Sequence, residues 1–155
     1  MKINQQKLLD ELIDFCKSHQ KRINFLIELD ENQLNLQLNK DSWSILECIE
    51  HLNRYFNFYI PEIKKRMEDS SNESKLYFKS GTLGNYFAKS MIPKEKLNKM
   101  KTFKSMNPSN SELDKTILSK FKNYLGDMIV LLEECKKKNL SKIKTSITIS
   151  NFIKL

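Results

Sequence analysis

The residues of this chain best equipped for chemistry sit close together: Glu47, Cys48 and His51. Glu47 and His51 stand four positions apart, so on a helix they project from the same side. A carboxylate and an imidazole in that relation can hold a divalent cation, but they supply two ligands where a metal centre needs three or more. Spacing alone therefore favours Glu47 as a helix cap and His51 as a half-buried bundle residue. Cys48 and His51 also form a conceivable nucleophilic pair, because a thiol in a first helical turn feels the helix field. A buried core cysteine is the better reading. The other histidine, His19, falls between Phe15 and Ile23 on an apolar stripe and reads as a core histidine.

Other catalytic signatures are absent from the sequence. There is no GxSxG, Walker loop, GxGxxG or HExxH. Residues 80–84, Ser-Gly-Thr-Leu-Gly, lack the lysine of a phosphate cradle and read as a turn. Tyr77, Phe78, Tyr86 and Phe87 interleave with Lys75, Lys79 and Lys89. That pattern superficially resembles a base-stacking platform, but core filling beneath a loop is the ordinary explanation.

Three amphipathic helices must position these groups. In the first, about 4–28, Leu8, Leu12, Phe15, His19, Ile23 and Leu26 recur at three- and four-residue steps. Residues 30–41 read as a connection with at most a turn of helix. The second helix opens with Ser44 and Glu47 at capping-box spacing, with Trp43 placed to staple the first turn. Its stripe is Ile45, Ile49, Leu52, Phe56, Tyr59, Ile63 and Met67. Pro61 predicts a kink near Asn57, and the helix should fade at Glu68 and Asp69. Residues 70–110 are irregular, punctuated by Gly81, Gly84, Pro93 and Pro108, with a short helix over 82–90 turning Leu83, Tyr86 and Phe87 inward. Ser109 and Glu112 repeat the capping-box spacing ahead of a third long helix. Ile117, Phe121, Tyr124, Met128, Leu131 and Cys135 form its stripe, and Asn139 is placed to end it. The alternating tail, Ile143 to Ile149, reads as an extended arm laid on a bundle.

At 155 residues, 39% hydrophobic and 30% charged, the chain is one globular domain, 1–155. Three glycines and three prolines speak against a turn-rich all-β fold. No apolar run is long enough to cross a bilayer and no secretory segment opens the chain. Cys16, Cys48 and Cys135 include no CxxC and read as buried thiols in a reducing cytoplasm. Charge is uneven. Residues 1–74 hold 10 basic and 13 acidic side chains, leaving 17 and 6 for residues 75–155. The lysines are scattered, which favours a solvated surface over a nucleic-acid face.

Residues 41–52, Asp-Ser-Trp-Ser-Ile-Leu-Glu-Cys-Ile-Glu-His-Leu, carry more than periodicity. The pattern WS-x-x-E-x-x-x-HL resembles the DinB-like superfamily of metal-dependent helical proteins. That resemblance implies an all-α, up-down-down-up four-helix bundle, a homodimer, and a divalent metal (Zn or Ni) on three histidines. The first ligand corresponds to His51; the others would come from an HxxxH turn on a last helix. No histidine follows His51, so the fourth helix is expected to be missing or truncated here. Residues 1–155 are then C-terminally incomplete, hold no metal tightly and are inactive alone. The function implied for the complete form is metal-dependent hydrolysis, or transfer of a low-molecular-weight thiol, on an unidentified small molecule. The competing readings are a non-catalytic dimerisation module and, more weakly, a nucleic-acid binder through residues 75–155.

Overall fold

The computed structural model describes residues 2–40, 42–70, 73–92, 101–109 and 111–148, and the backbone of 150–154. Asp41, Pro93 and Ile149, which entered the motif, the irregular connection and the alternating tail, lie outside the described residues.

The described residues are mostly helical. Helix α1 spans Gln5–Glu28, α2 Glu31–Asn35, α3 Ile45–Glu68, α4 Thr82–Met91 and α5 Thr116–Cys135. Three of these starts carry a side-chain cap. The Asn4 side chain accepts from the Lys7 N–H at 3.0 Å. Asp30 and Gln33 form a capping box on α2, and Ser44 and Glu47 form another on α3. Helix α3 runs on through Pro61 and ends at Glu68, where the sequence places its end.

Helix α5 packs against both α1 and α3. Its direction relative to each is fixed by paired contacts at both ends. Gln5 donates to the Lys138 carbonyl at 2.8 Å and Gln20 to the Lys122 carbonyl at 3.4 Å, so α1 and α5 are antiparallel. Asn53 meets Ile117 and Met67 meets Cys135, so α3 and α5 are parallel. The long helices therefore run up, down and down. Two parallel neighbours need a crossover rather than a hairpin, which accounts for the long connection between α3 and α5.

The core lies along α5. One cluster joins Ile23, Leu34, Leu46, Ile49, Leu118 and Leu125; the other joins Leu9, Ile13, Met67, Leu131 and Cys135. These positions correct the reading of α1. Its inward stripe is Gln5, Leu9, Ile13 and Ile23. The neighbouring stripe stays open: Leu12 is 39% and Phe15 61% exposed, and His19 is exposed rather than a core histidine. Helix α1 has apolar residues on two adjacent stripes, and α5 covers one of them.

Four further expectations change. Helix α5 starts at Thr116, not beside Ser109, because the Asp114 carboxylate takes both the N–H and the hydroxyl of Thr116. Asn139 does not end α5 but accepts from the Ser141 N–H, capping a 3-10 turn at Leu140–Lys142. Strands are present: β1 (Lys2–Asn4) pairs antiparallel with β2 (Tyr77–Lys79), and β3 (Ser146–Ile147) with β4 (Ser150–Lys154). The tail is thus a hairpin rather than a lone arm. Helix α4 forms as expected, yet it buries no residue, and Leu83, Tyr86 and Met91 are exposed.

A carboxylate helps to fasten the tail hairpin to α3. Glu62 accepts from the Ser146 N–H at 2.8 Å and from Arg66 Nε at 2.9 Å. These bonds, the Ser146 amide first, hold its pKa down at about 2. A carboxyl depressed on folding stabilises the fold above its ordinary range near pH 4.5 and loses that contribution as pH falls toward 2. Melting followed by circular dichroism from pH 6 to pH 2 is expected to show a shallower acid decline in Glu62→Gln than in the parent chain. Equal declines would mean that Glu62 anchors nothing.

Candidate functional site

The capping box consumes Glu47. Its buried Oε2 accepts from the Ser44 N–H at 2.8 Å and from Gln37 Nε2 at 2.8 Å, while Ser44 Oγ accepts the Glu47 N–H at 3.2 Å. With its carboxylate committed to the helix start, Glu47 does not join His51 as a ligand pair.

His51 follows one turn later and is half-buried. Its Nδ1 lies 2.7 Å from the Met106 carbonyl oxygen. A carbonyl only accepts, so Nδ1 carries the proton, and in the neutral ring Nε2 holds the lone pair. The ring packs between Trp43 and the edge of Tyr55, each centroid 4.9 Å away. Trp43 thus packs onto His51, and its indole N–H donates to Ser109 Oγ at 3.0 Å. Tyr55 in turn is tied to the tail by a hydrogen bond with Thr148, and burial pushes its phenol above the ordinary range.

A divalent centre would need further donors beside this imidazole. Among the described residues no three His, Cys, Asp or Glu side chains converge. The residues present fit one ligand with its orienting carbonyl and do not complete a metal centre. His19 lies exposed on α1. Cys48 is exposed rather than buried, yet neighbouring atoms desolvate its thiol and, with the Glu47 carboxylate, push its pKa up. That is the opposite of nucleophile activation. Cys16 is half-buried and Cys135 buried, the latter raised to about 11 by burial. Tyr77 and Tyr86 are exposed, so they are not core filling beneath a loop.

A second constellation escaped the sequence reading. The segment before α5 docks on α3 through His51 and through Arg54, which donates to the Asn107 carbonyl and to Ser111 Oγ while pairing with Glu50 at 2.9 Å. Between this segment, α3 and the first turns of α5 lies a cleft of about 600 Å3. Asn53 belongs to its lining. It is 1% exposed, its Nδ2 donates to the Ile117 carbonyl at 3.1 Å, and its Oδ1 has no partner among the described residues. A buried amide oxygen left unpaired costs about 1–3 kcal/mol. The available signal was an Asn standing on the α5-facing stripe between Ile49 and Phe56.

No family model, no curated protein and no solved structure matches this chain.

Proposed function

We propose that the chain is a DinB-like bundle protein acting in the cytoplasm. Its reaction is hydrolysis, or transfer of a low-molecular-weight thiol, at a Zn or Ni ion, with His51 as the ligand it contributes. The remaining ligands come from outside the described residues, and these residues alone hold no metal tightly. The observation that carries the reading is the His51 ring itself. Metal-bound imidazoles characteristically donate their second nitrogen to a carbonyl or carboxylate, which fixes the tautomer, and the Met106 carbonyl does this here. The up-down-down course and the open second stripe of α1 support the bundle.

The test separates ligation from structure. Elemental analysis of the native gene product is expected to find about one Zn or Ni per chain. His51→Asn keeps an amide N–H where Nδ1 donates to Met106 but removes Nε2, so it should stay folded and lose the metal. Unchanged metal content in that variant overturns the assignment.

A non-catalytic dimerisation module is the second reading, favoured by exposed Leu12, Phe15 and Leu52. In that case light scattering returns the mass of two chains, and substituting Phe15 with aspartate returns the mass of one.

A further inference from the structure

Helix α4 is the helix that the bundle uses least. It is amphipathic: Leu83, Tyr86 and Met91 project from one side, and Thr82, Asn85 and Lys89 from the other. A helix of that pattern ordinarily turns its apolar side onto a core. Here it buries no residue and lies along no other described helix. Phe87 is half-buried, while Leu83, Tyr86, Met91 and Ile92 are exposed, Tyr86 to 67% and Met91 to 65%. Large apolar side chains gathered this way mark a surface that meets something other than water.

The charge around α4 has one sign. From Lys75 to Ile92 the sequence holds Lys75, Lys79 and Lys89 and no Asp or Glu. Ser80 and Gly81 alone join α4 to β2, and β2 brings further cations beside it. Lys2, on the paired strand, places Nζ 4.0 Å from the centre of the exposed Tyr77 ring. The Lys79 N–H donates to Ser141 Oγ at 3.2 Å, which sets the turn carrying Lys142 next to the same strand. All of these lysines are exposed, and none makes an ion pair among the described residues.

We propose that α4 is an in-plane anchor that holds the protein on an anionic phospholipid bilayer. The helix has 10 residues and is about 15 Å long, roughly half of a hydrocarbon core, so it lies along the surface rather than crossing. Leu83, Met91 and Ile92 enter the acyl boundary and the Tyr86 ring sits at headgroup level. Lys89, with the lysines of β1 and β2, meets the lipid phosphates. Single-stranded nucleic acid would use Tyr77 and Tyr86 but leave the aliphatic half of the ridge without a partner. Lipid satisfies the aliphatic, aromatic and cationic groups together. The anchor goes beyond the metal reading and does not rest on it.

Co-sedimentation of the whole chain with vesicles tests this, comparing equimolar phosphatidylglycerol and phosphatidylcholine with phosphatidylcholine alone. The anionic vesicles are expected to hold half of the protein at roughly 0.1–1 mM lipid, and the neutral ones to bind roughly tenfold less tightly or weaker still. Leu83→Asp and Met91→Asp should each weaken partitioning by roughly tenfold, and Lys89→Gln by about fivefold. None of these side chains is buried, so the urea midpoint should not move. Leu12→Asp, on the open stripe of α1, should partition as the parent does, and so should His51→Asn, whatever becomes of the metal. Equal partitioning to both vesicle types, none up to about 5 mM lipid, or unchanged partitioning in Leu83→Asp and Met91→Asp overturns the proposal. So does a chain that binds a single-stranded oligonucleotide and leaves the vesicles bare.

Discussion

Truncating Leu118 to alanine is expected to lower the unfolding free energy by about 3–5 kcal/mol. Leu118 is 0% exposed and sits in the cluster that joins α5 to Ile23 of α1 and to Leu46 and Ile49 of α3. The lost side chain leaves a cavity walled by three helices, none of which can collapse inward without losing its own contacts. A domain of this size has about 5–15 kcal/mol in all, so one truncation consumes a large share. Leu12→Ala provides the contrast. The same atoms are removed, but from the open stripe of α1, and the expected loss is below about 1 kcal/mol. Urea denaturation at micromolar chain concentration measures both, the midpoint moving while the slope stays constant. A Leu12 loss as large as that at Leu118 would mean that the stripe is covered in solution.

That contrast also marks how far the sequence could be read. Helices α1 and α3 were legible almost to the residue, because Glu28 and Glu68 end long runs of apolar periodicity and Ser44 with Glu47 announces a start. The facing of α1 was not. Leu8, Leu12, Phe15 and His19 make as regular a stripe as Leu9, Ile13 and Cys16, and periodicity cannot say which of two stripes has a neighbour. The start of α5 misled for a related reason. Ser109 and Glu112 have capping-box spacing, but Asp114 lies nearer the first helical turn and takes both Thr116 donors. His51 was singled out by its type. Its partner, the Met106 carbonyl, is a backbone group 55 residues away, and no side-chain pattern encodes such a contact. Asn53 was visible as a polar residue on a core stripe; what it borders depends on the crossover returning beside α3.

The capping box at the head of α3 gives the second large effect, and it acts on the site as well as on the fold. Glu47→Ala is expected to cost about 2–3 kcal/mol, because the buried Ser44 N–H and the Gln37 amide both lose their acceptor. Ser44→Ala removes the bond to the Glu47 N–H alone and should cost about 1 kcal/mol. The two bonds hold each other's geometry, so the double variant should lose less than the sum of the two, and a double-mutant cycle by urea denaturation reads the difference. Strict additivity, with each change under about 0.5 kcal/mol, would show that the box contributes nothing. The structural consequence reaches one turn further. Trp43 immediately precedes the cap and packs on His51 at 4.9 Å, so fraying of the first turn releases the indole from the ring. In Glu47→Ala the His51 ring protons should therefore lose the upfield ring-current shift that Trp43 gives them, while the Nδ1 bond to Met106, anchored from the opposite segment, persists. The cap is thus a positioning device for the imidazole and leaves its proton assignment to the crossover.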